Sequence, residues 1–147
     1  MTELKLESFL PYRLARAAET VSLDFSHIYR EKHGLSRPEW RVLATLAQFG
    51  KATATDIGGH SSMHKTKVSR AVFVLQQRKW LARKTDERDR RIEWLELTQG
   101  GKKEFARLAI LARDYETRLL AALGKERTSH LLAALEKLEH MQLPNTK

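Results

Sequence analysis

The sequence predicts a mainly α-helical fold: a winged helix-turn-helix with extra helices at both ends, six helices plus a two-stranded wing. Three observations carry this. A basic amphipathic helix spans about residues 64–79. A hairpin pattern follows it, in which the apolar segments Trp80-Leu81-Ala82 and Ile92 to Leu97 flank the charged run Arg83 to Arg91. A short helix and a glycine-containing turn precede it, the order of a helix-turn-helix.

Leu6, Leu10, Leu14, Ala17, Val21, Phe25 and Ile28 step by threes and fours, marking a long first helix. Gly34 is placed to end it in the left-handed conformation. Ser36-Arg37-Pro38-Glu39 fits a capping box, and the helix it opens runs to Phe49 and stops at Gly50. That helix is apolar around most of its circumference, so it should be largely buried. Thr53-Ala54-Thr55-Asp56 is a second capping pattern, starting a short helix that reaches about Gly58. Residues 58–62 then read as a turn, with a serine available to cap the next helix. There Val68, Ala71, Val72 and Leu75 point inward, while Lys65, Thr66, Ser69, Arg70, Phe73 and Gln77 point outward. After the hairpin, Thr98 can cap a long helix that breaks at Gly124, and a last helix covers about residues 125–142.

This divides the chain into a winged helix-turn-helix region, residues 35–97, and a helical region formed by residues 1–34 and 98–147. The outer helices carry apolar stripes with little globular core to cover. An interlocked two-fold dimer would use them.

Charge points to a polyanion. The net charge of the 147 residues is +9, and residues 64–91 alone hold ten Lys/Arg against three acids, or +7. A solvated charged face normally carries matching acids; this window does not. The outward helix face suits the major groove of double-stranded DNA. Arg70 is the first choice for a base contact, through the O6 and N7 acceptors of guanine. Lys65, Thr66, Lys67 and Ser69 could reach bases or phosphates. Phe73 either touches a thymine methyl or, the favoured reading, packs against the wing.

The chain has no cysteine, which excludes disulfides, thiolate metal sites and thiol redox switches within it. No apolar run approaches a membrane span. The N-terminal residues lack a signal peptide's apolar core. These features predict a soluble, cytoplasmic protein without membrane association. His60 and His64 straddle a turn, and His27, Asp24 and His33 form no specific metal pattern. With no nucleophile–base arrangement or phosphate-cradling loop, an enzyme is not expected, and neither is a metal.

Over nearly its whole length the chain resembles the MarR family of bacterial transcriptional regulators. The resemblance rests on Leu10-Pro11-Tyr12-Arg13-Leu14, Pro38-Glu39-Trp40-Arg41-Val42-Leu43, Lys65-Thr66-Lys67-Val68-Ser69-Arg70, Asp86-Glu87-Arg88-Asp89-Arg90-Arg91 and Leu95-Glu96-Leu97-Thr98-Gln99-Gly100-Gly101. It implies a homodimer with two winged-helix lobes on a pseudo-palindromic operator. It also places Arg88 in the minor groove with Asp86 orienting its guanidinium, Arg90 and Arg91 keeping the loop positive. A narrow A·T-rich groove attracts arginine for electrostatic reasons. Trp80 stands where many members have glycine; either the helix ends differently or the indole packs into the wing base.

The resemblance further implies a ligand pocket where the first and second helices meet the fifth, taking in Tyr12, Arg13, Arg16, Trp40, Arg41 and Tyr115. Arginine beside aromatic residues suits an aromatic carboxylate or an acyl-CoA thioester as effector. The bland reading keeps Trp40 and Tyr115 in the core and pairs the arginines with Glu19, Asp24 or Glu39. Function then reads as a repressor released by such a ligand, or alternatively as an effector-independent, architectural or partner-controlled nucleic-acid binder.

Overall fold

The computed structural model describes residues 3–144. A single 3₁₀ turn, Leu6–Ser8, precedes six α-helices: α1 Leu10–His33, α2 Arg37–Phe49, α3 Ala54–Ser61, α4 Lys65–Gln77, α5 Gln99–Leu123 and α6 Lys125–Glu139. Three strands complete it, β1 Lys51–Ala52, β2 Leu81–Thr85 and β3 Glu93–Leu97. The chain divides into two compact units, Met1–Leu111 and Ala112–Lys147. The division falls inside α5.

In the first unit, local signals set the helix ends. Gly34 takes φ 64° at the end of α1 and its N–H bonds back to Arg30 and Tyr29 carbonyls. Ser36 and Glu39 form the capping box of α2, and Thr53 and Asp56 that of α3. The core joins Val42, Leu43 and Leu46 of α2, Ile57 of α3, Val68, Val72 and Leu75 of α4, and Leu81, Leu95 and Leu97 of the wing. Each fully buried Val or Leu stabilises by ~1.5–3 kcal/mol, so this layer fixes α4 against α2 and α3.

Three features differ from the sequence expectation. First, α3 runs through Gly58 and Gly59 to Ser61, and Ser62 ends it in the left-handed conformation at φ 53°. Gly58 is tolerated inside the helix because the Met63 carbonyl lies so close that a Cβ would come within 3.2 Å of it. Second, no serine caps α4; His64 holds the N-cap position without a side-chain bond. Third, the sheet has three strands in the order β1-β3-β2, all antiparallel. Two-residue β1 pairs Lys51 with Glu96 and Ala52 with Leu95. A strand that short leaves no periodicity to read.

The junction of α4 with the wing explains the Leu97-Thr98-x-x-Gly101 signature. Lys79, not Trp80, adopts the left-handed conformation, at φ 61°. Trp80 is then half-buried against the core, with the Arg78 guanidinium over its ring at 5.0 Å. The Thr98 hydroxyl donates to the Lys79 carbonyl (2.7 Å) and accepts the Gly101 N–H (3.1 Å). The Thr98 N–H donates to the Trp80 carbonyl at 3.0 Å. The Arg78 guanidinium also donates to the carbonyls of His33 (2.8 Å) and Gly34 (2.7 Å), closing the end of α1. His33 pairs in turn with Glu104 of α5. Arg78→Ala should therefore lower stability by about 1–2 kcal/mol, read by urea denaturation; an unchanged midpoint would show the bonds to be dispensable.

The second unit holds the end of α5 and α6, joined at Gly124 with φ 87°. Leu131, Leu132 and Leu138 of α6 are exposed. In the first unit, Leu10, Val21 and Leu23 of α1 are exposed too.

Candidate nucleic-acid interface

Burying Val68, Ala71, Val72 and Leu75 on one side of α4 turns Lys65, Thr66, Lys67, Ser69 and Arg70 outward, and all five are exposed. Phe73 does not fold away against the wing. It remains 57% exposed on the outward face, three and four residues beyond Arg70 and Ser69, because Val72 and Leu75 already fill the inward stripe.

The wing is oriented by its two faces. Leu81, Leu95 and Leu97 face the core. Further out on that face Arg83 donates to Gln76 of α4 (2.8 Å) and to Glu93 (2.6 Å), tying hairpin to helix. The other face carries Lys51, Lys84, Trp94 and Glu96, with Lys84 and Glu96 3.5 Å apart.

Asp86 organises the wing tip. Its Oδ1 accepts the backbone N–H of Arg88 (2.9 Å) and of Asp89 (3.0 Å). Its Oδ2 accepts the Trp94 indole N–H at 2.9 Å. Asp86 thus orients the main chain at Arg88, and among the described residues its carboxylate is in no salt bridge with the Arg88 guanidinium. These bonds, the indole's foremost, hold its carboxyl below the usual range. The tip's contribution to stability is then complete above the ordinary Asp value of ~3.9 and fades only as pH falls through the lowered one.

The arginines of the loop divide. Arg91 is held by Asp89 through two bonds of 3.0 Å. Arg88 and Arg90 are exposed, and among the described residues neither guanidinium is in a salt bridge. Lys51 and Trp94 joined the site unforeseen: Lys51 lies 43 positions before Trp94, and only the register of β1 on β3 brings them together.

Trp40 belongs to an aromatic cluster, edge-on to Phe25 at 5.2 Å and stacked on Tyr29 at 5.7 Å and Phe105 at 6.1 Å. Its neighbour Arg41 instead lines a groove of about 530 Å³ with Glu19, Arg37, His64 and Lys67. Glu19 takes both donors of Arg37, at 2.6 and 2.8 Å. Tyr12, Arg13 and Arg16 are exposed on α1, with Arg16 5.9 Å from the Tyr12 ring centre. Tyr115 lies in the second unit, with Arg118 5.8 Å from its ring centre. Among the described residues, no three His, Asp or Glu side chains gather as metal ligands, and no helix is long and apolar enough to cross a membrane.

Comparison with known proteins agrees with this arrangement. A profile of the MarR family matches residues 33–92, from the end of α1 to the wing loop. The HTH-type transcriptional regulator MhqR of Bacillus subtilis is 31% identical over 101 residues, 69% of this chain and 68% of that protein. The crystal structure of a MarR family transcriptional regulator from Silicibacter pomeroyi is 31% identical, with a TM-score of 0.77 over 92% of this chain and 98% of the other. BpsR of Bordetella bronchiseptica, whose DNA binding is regulated by 6-hydroxynicotinic acid, shares the fold with a TM-score of 0.82 at 19% identity, over 96% of this chain and all of that one. With its outward basic helix, arginine-tipped wing and these relatives, the chain belongs to the MarR family of DNA-binding transcriptional regulators.

Proposed function

We propose that this chain is a homodimeric repressor that binds a pseudo-palindromic operator and is released by a small aromatic acid or its CoA thioester. The observation that carries the DNA half is the pairing of two exposed basic elements of distinct shape. The outward face of α4 offers Arg70 and Lys67 to a major groove. The wing offers Arg88 and Arg90 to the adjacent minor groove. The exposed leucines of α1 and α6 supply apolar surface for a partner copy. Two lobes would then read half-sites about one helical turn apart.

The effector half is supported by the groove beside Arg41 and by chemistry seen in a relative. Arg37, Arg41 and Lys67 give that groove an excess of cationic groups over Glu19. Lys67 also belongs to the first turn of α4, so an anion bound there competes directly with a DNA contact. BpsR responds to an aromatic acid, the same ligand class. The coupling is reciprocal, so DNA must weaken effector binding by the same factor, typically ~1–3 kcal/mol.

A thermal-shift screen of aromatic carboxylates and their CoA thioesters, followed by displacement of a bound duplex, tests this. Arg41→Ala is expected to blunt release by an active compound while DNA affinity stays within about threefold, as for loss of a rim charge. Stabilisation and release by none of these compounds would favour the effector-independent reading.

A further inference from the structure

The outer face of the wing contains a chain of contacts that ends at Arg88. The Lys51 ammonium lies 4.8 Å from the centre of the Trp94 ring. The Trp94 indole N–H donates to Asp86 Oδ2, and Asp86 Oδ1 receives the main-chain N–H groups of Arg88 and Asp89. Two backbone bonds close the loop behind them, Asp86 N–H to the Ile92 carbonyl (2.9 Å) and Ile92 N–H to the Asp89 carbonyl (3.0 Å). Lys51, Trp94, Asp86 and Arg88 line a groove of about 450 Å³ that also contains Lys84 and Glu96.

We propose that Trp94 and Lys51 are positioning residues for Arg88, fixing through Asp86 the main chain that projects its side chain toward DNA. The inference rests on the reading of the wing as a DNA-contacting element. At its outward strand position Trp94 covers the sheet and also supplies an indole donor. A phenylalanine would cover it as well but has no donor for Asp86. Lys51 adds a cation to the ring face and arrives from the other edge of β3, so the indole is held from the side opposite Asp86's hairpin strand. An exposed two-stranded tip otherwise has little to limit its conformations. Binding then has less disorder to remove from the loop.

The test uses the full chain and the tightest duplex recovered from a random-sequence pool by the unaltered protein, with affinity read by fluorescence anisotropy at fixed salt. Trp94→Phe is expected to weaken binding roughly 3- to 10-fold, as for one hydrogen bond lost, with a melting midpoint close to that of the parent. Lys51→Ala is expected to cause a smaller loss, about 2- to 3-fold, and Lys51→Arg to bind like the parent. In the double variants the losses should not multiply. Trp94→Phe adds nothing once Arg88→Ala is present, and Lys51→Ala adds nothing once Trp94→Phe is present. Trp94→Phe binding like the parent while Arg88→Ala binds poorly would overturn the proposal. So would losses that multiply in the double variants, because Trp94 or Lys51 would then act independently of Arg88. If Arg88→Ala alone changed nothing, the reading of the wing itself would fall.

Discussion

Arg88→Ala is expected to reduce affinity for a specific duplex by roughly 10- to 100-fold, the range for losing one well-placed arginine contact, with no change in thermal stability. The two halves of this expectation have separate origins. The Arg88 side chain is exposed and in no salt bridge among the described residues, so the fold loses nothing with it. Its main chain is fixed by Asp86, so the parent protein presents the guanidinium with little freedom left in the backbone. Arg91→Ala serves as the internal comparison. Asp89 already engages that guanidinium, and its removal should weaken binding far less. Equal losses at Arg88 and Arg91 would mean that the loop acts only as diffuse positive charge.

Gly101→Ala is expected to destabilise the fold by about 2–4 kcal/mol, the upper range for forced overpacking. A Cβ at this buried position would stand 2.1 Å from the Trp80 carbonyl oxygen and 3.0 Å from its carbon. Both atoms are backbone, and that oxygen is already bonded to the Thr98 N–H. Neither can move without shifting α5 away from the wing base. Gly100 provides the control, since a Cβ there meets nothing nearer than 3.6 Å. Gly100→Ala should be neutral or gain up to ~1 kcal/mol from helix propensity. Urea denaturation of both variants checks the contrast; equal stability would mean that the helix start yields more easily than its close contact implies.

What could be read from the sequence was local. The capping boxes at Ser36 and Thr53 and the left-handed Gly34 depend on residues within four positions of one another, and each appears where its spacing places it. The inward stripe of α4 follows from helical periodicity alone. What could not be read depends on register or on competition between neighbours. Strand β1 is too short to show alternation, yet it sets Lys51 beside Trp94. The partners of Asp86 follow from how the hairpin closes, which the charged run alone does not encode. Trp40 and Arg41 are adjacent in sequence but serve an aromatic cluster and a charged groove, because consecutive helical positions point in different directions. The helical end of Lys79 shows the same limit: a lysine occupies a left-handed position that favours glycine, held there by Thr98 on its carbonyl.

The most direct test of the central claim is the affinity of the unaltered protein for its selected duplex and for a scrambled duplex of the same composition, measured across a series of salt concentrations. The account predicts a preference of at least ~10³-fold for the selected sequence. It also predicts a steep loss of affinity with salt on both duplexes, with a log–log slope of about −0.9 for each phosphate contacted. Equal affinity for the two duplexes, or binding insensitive to salt, would contradict it.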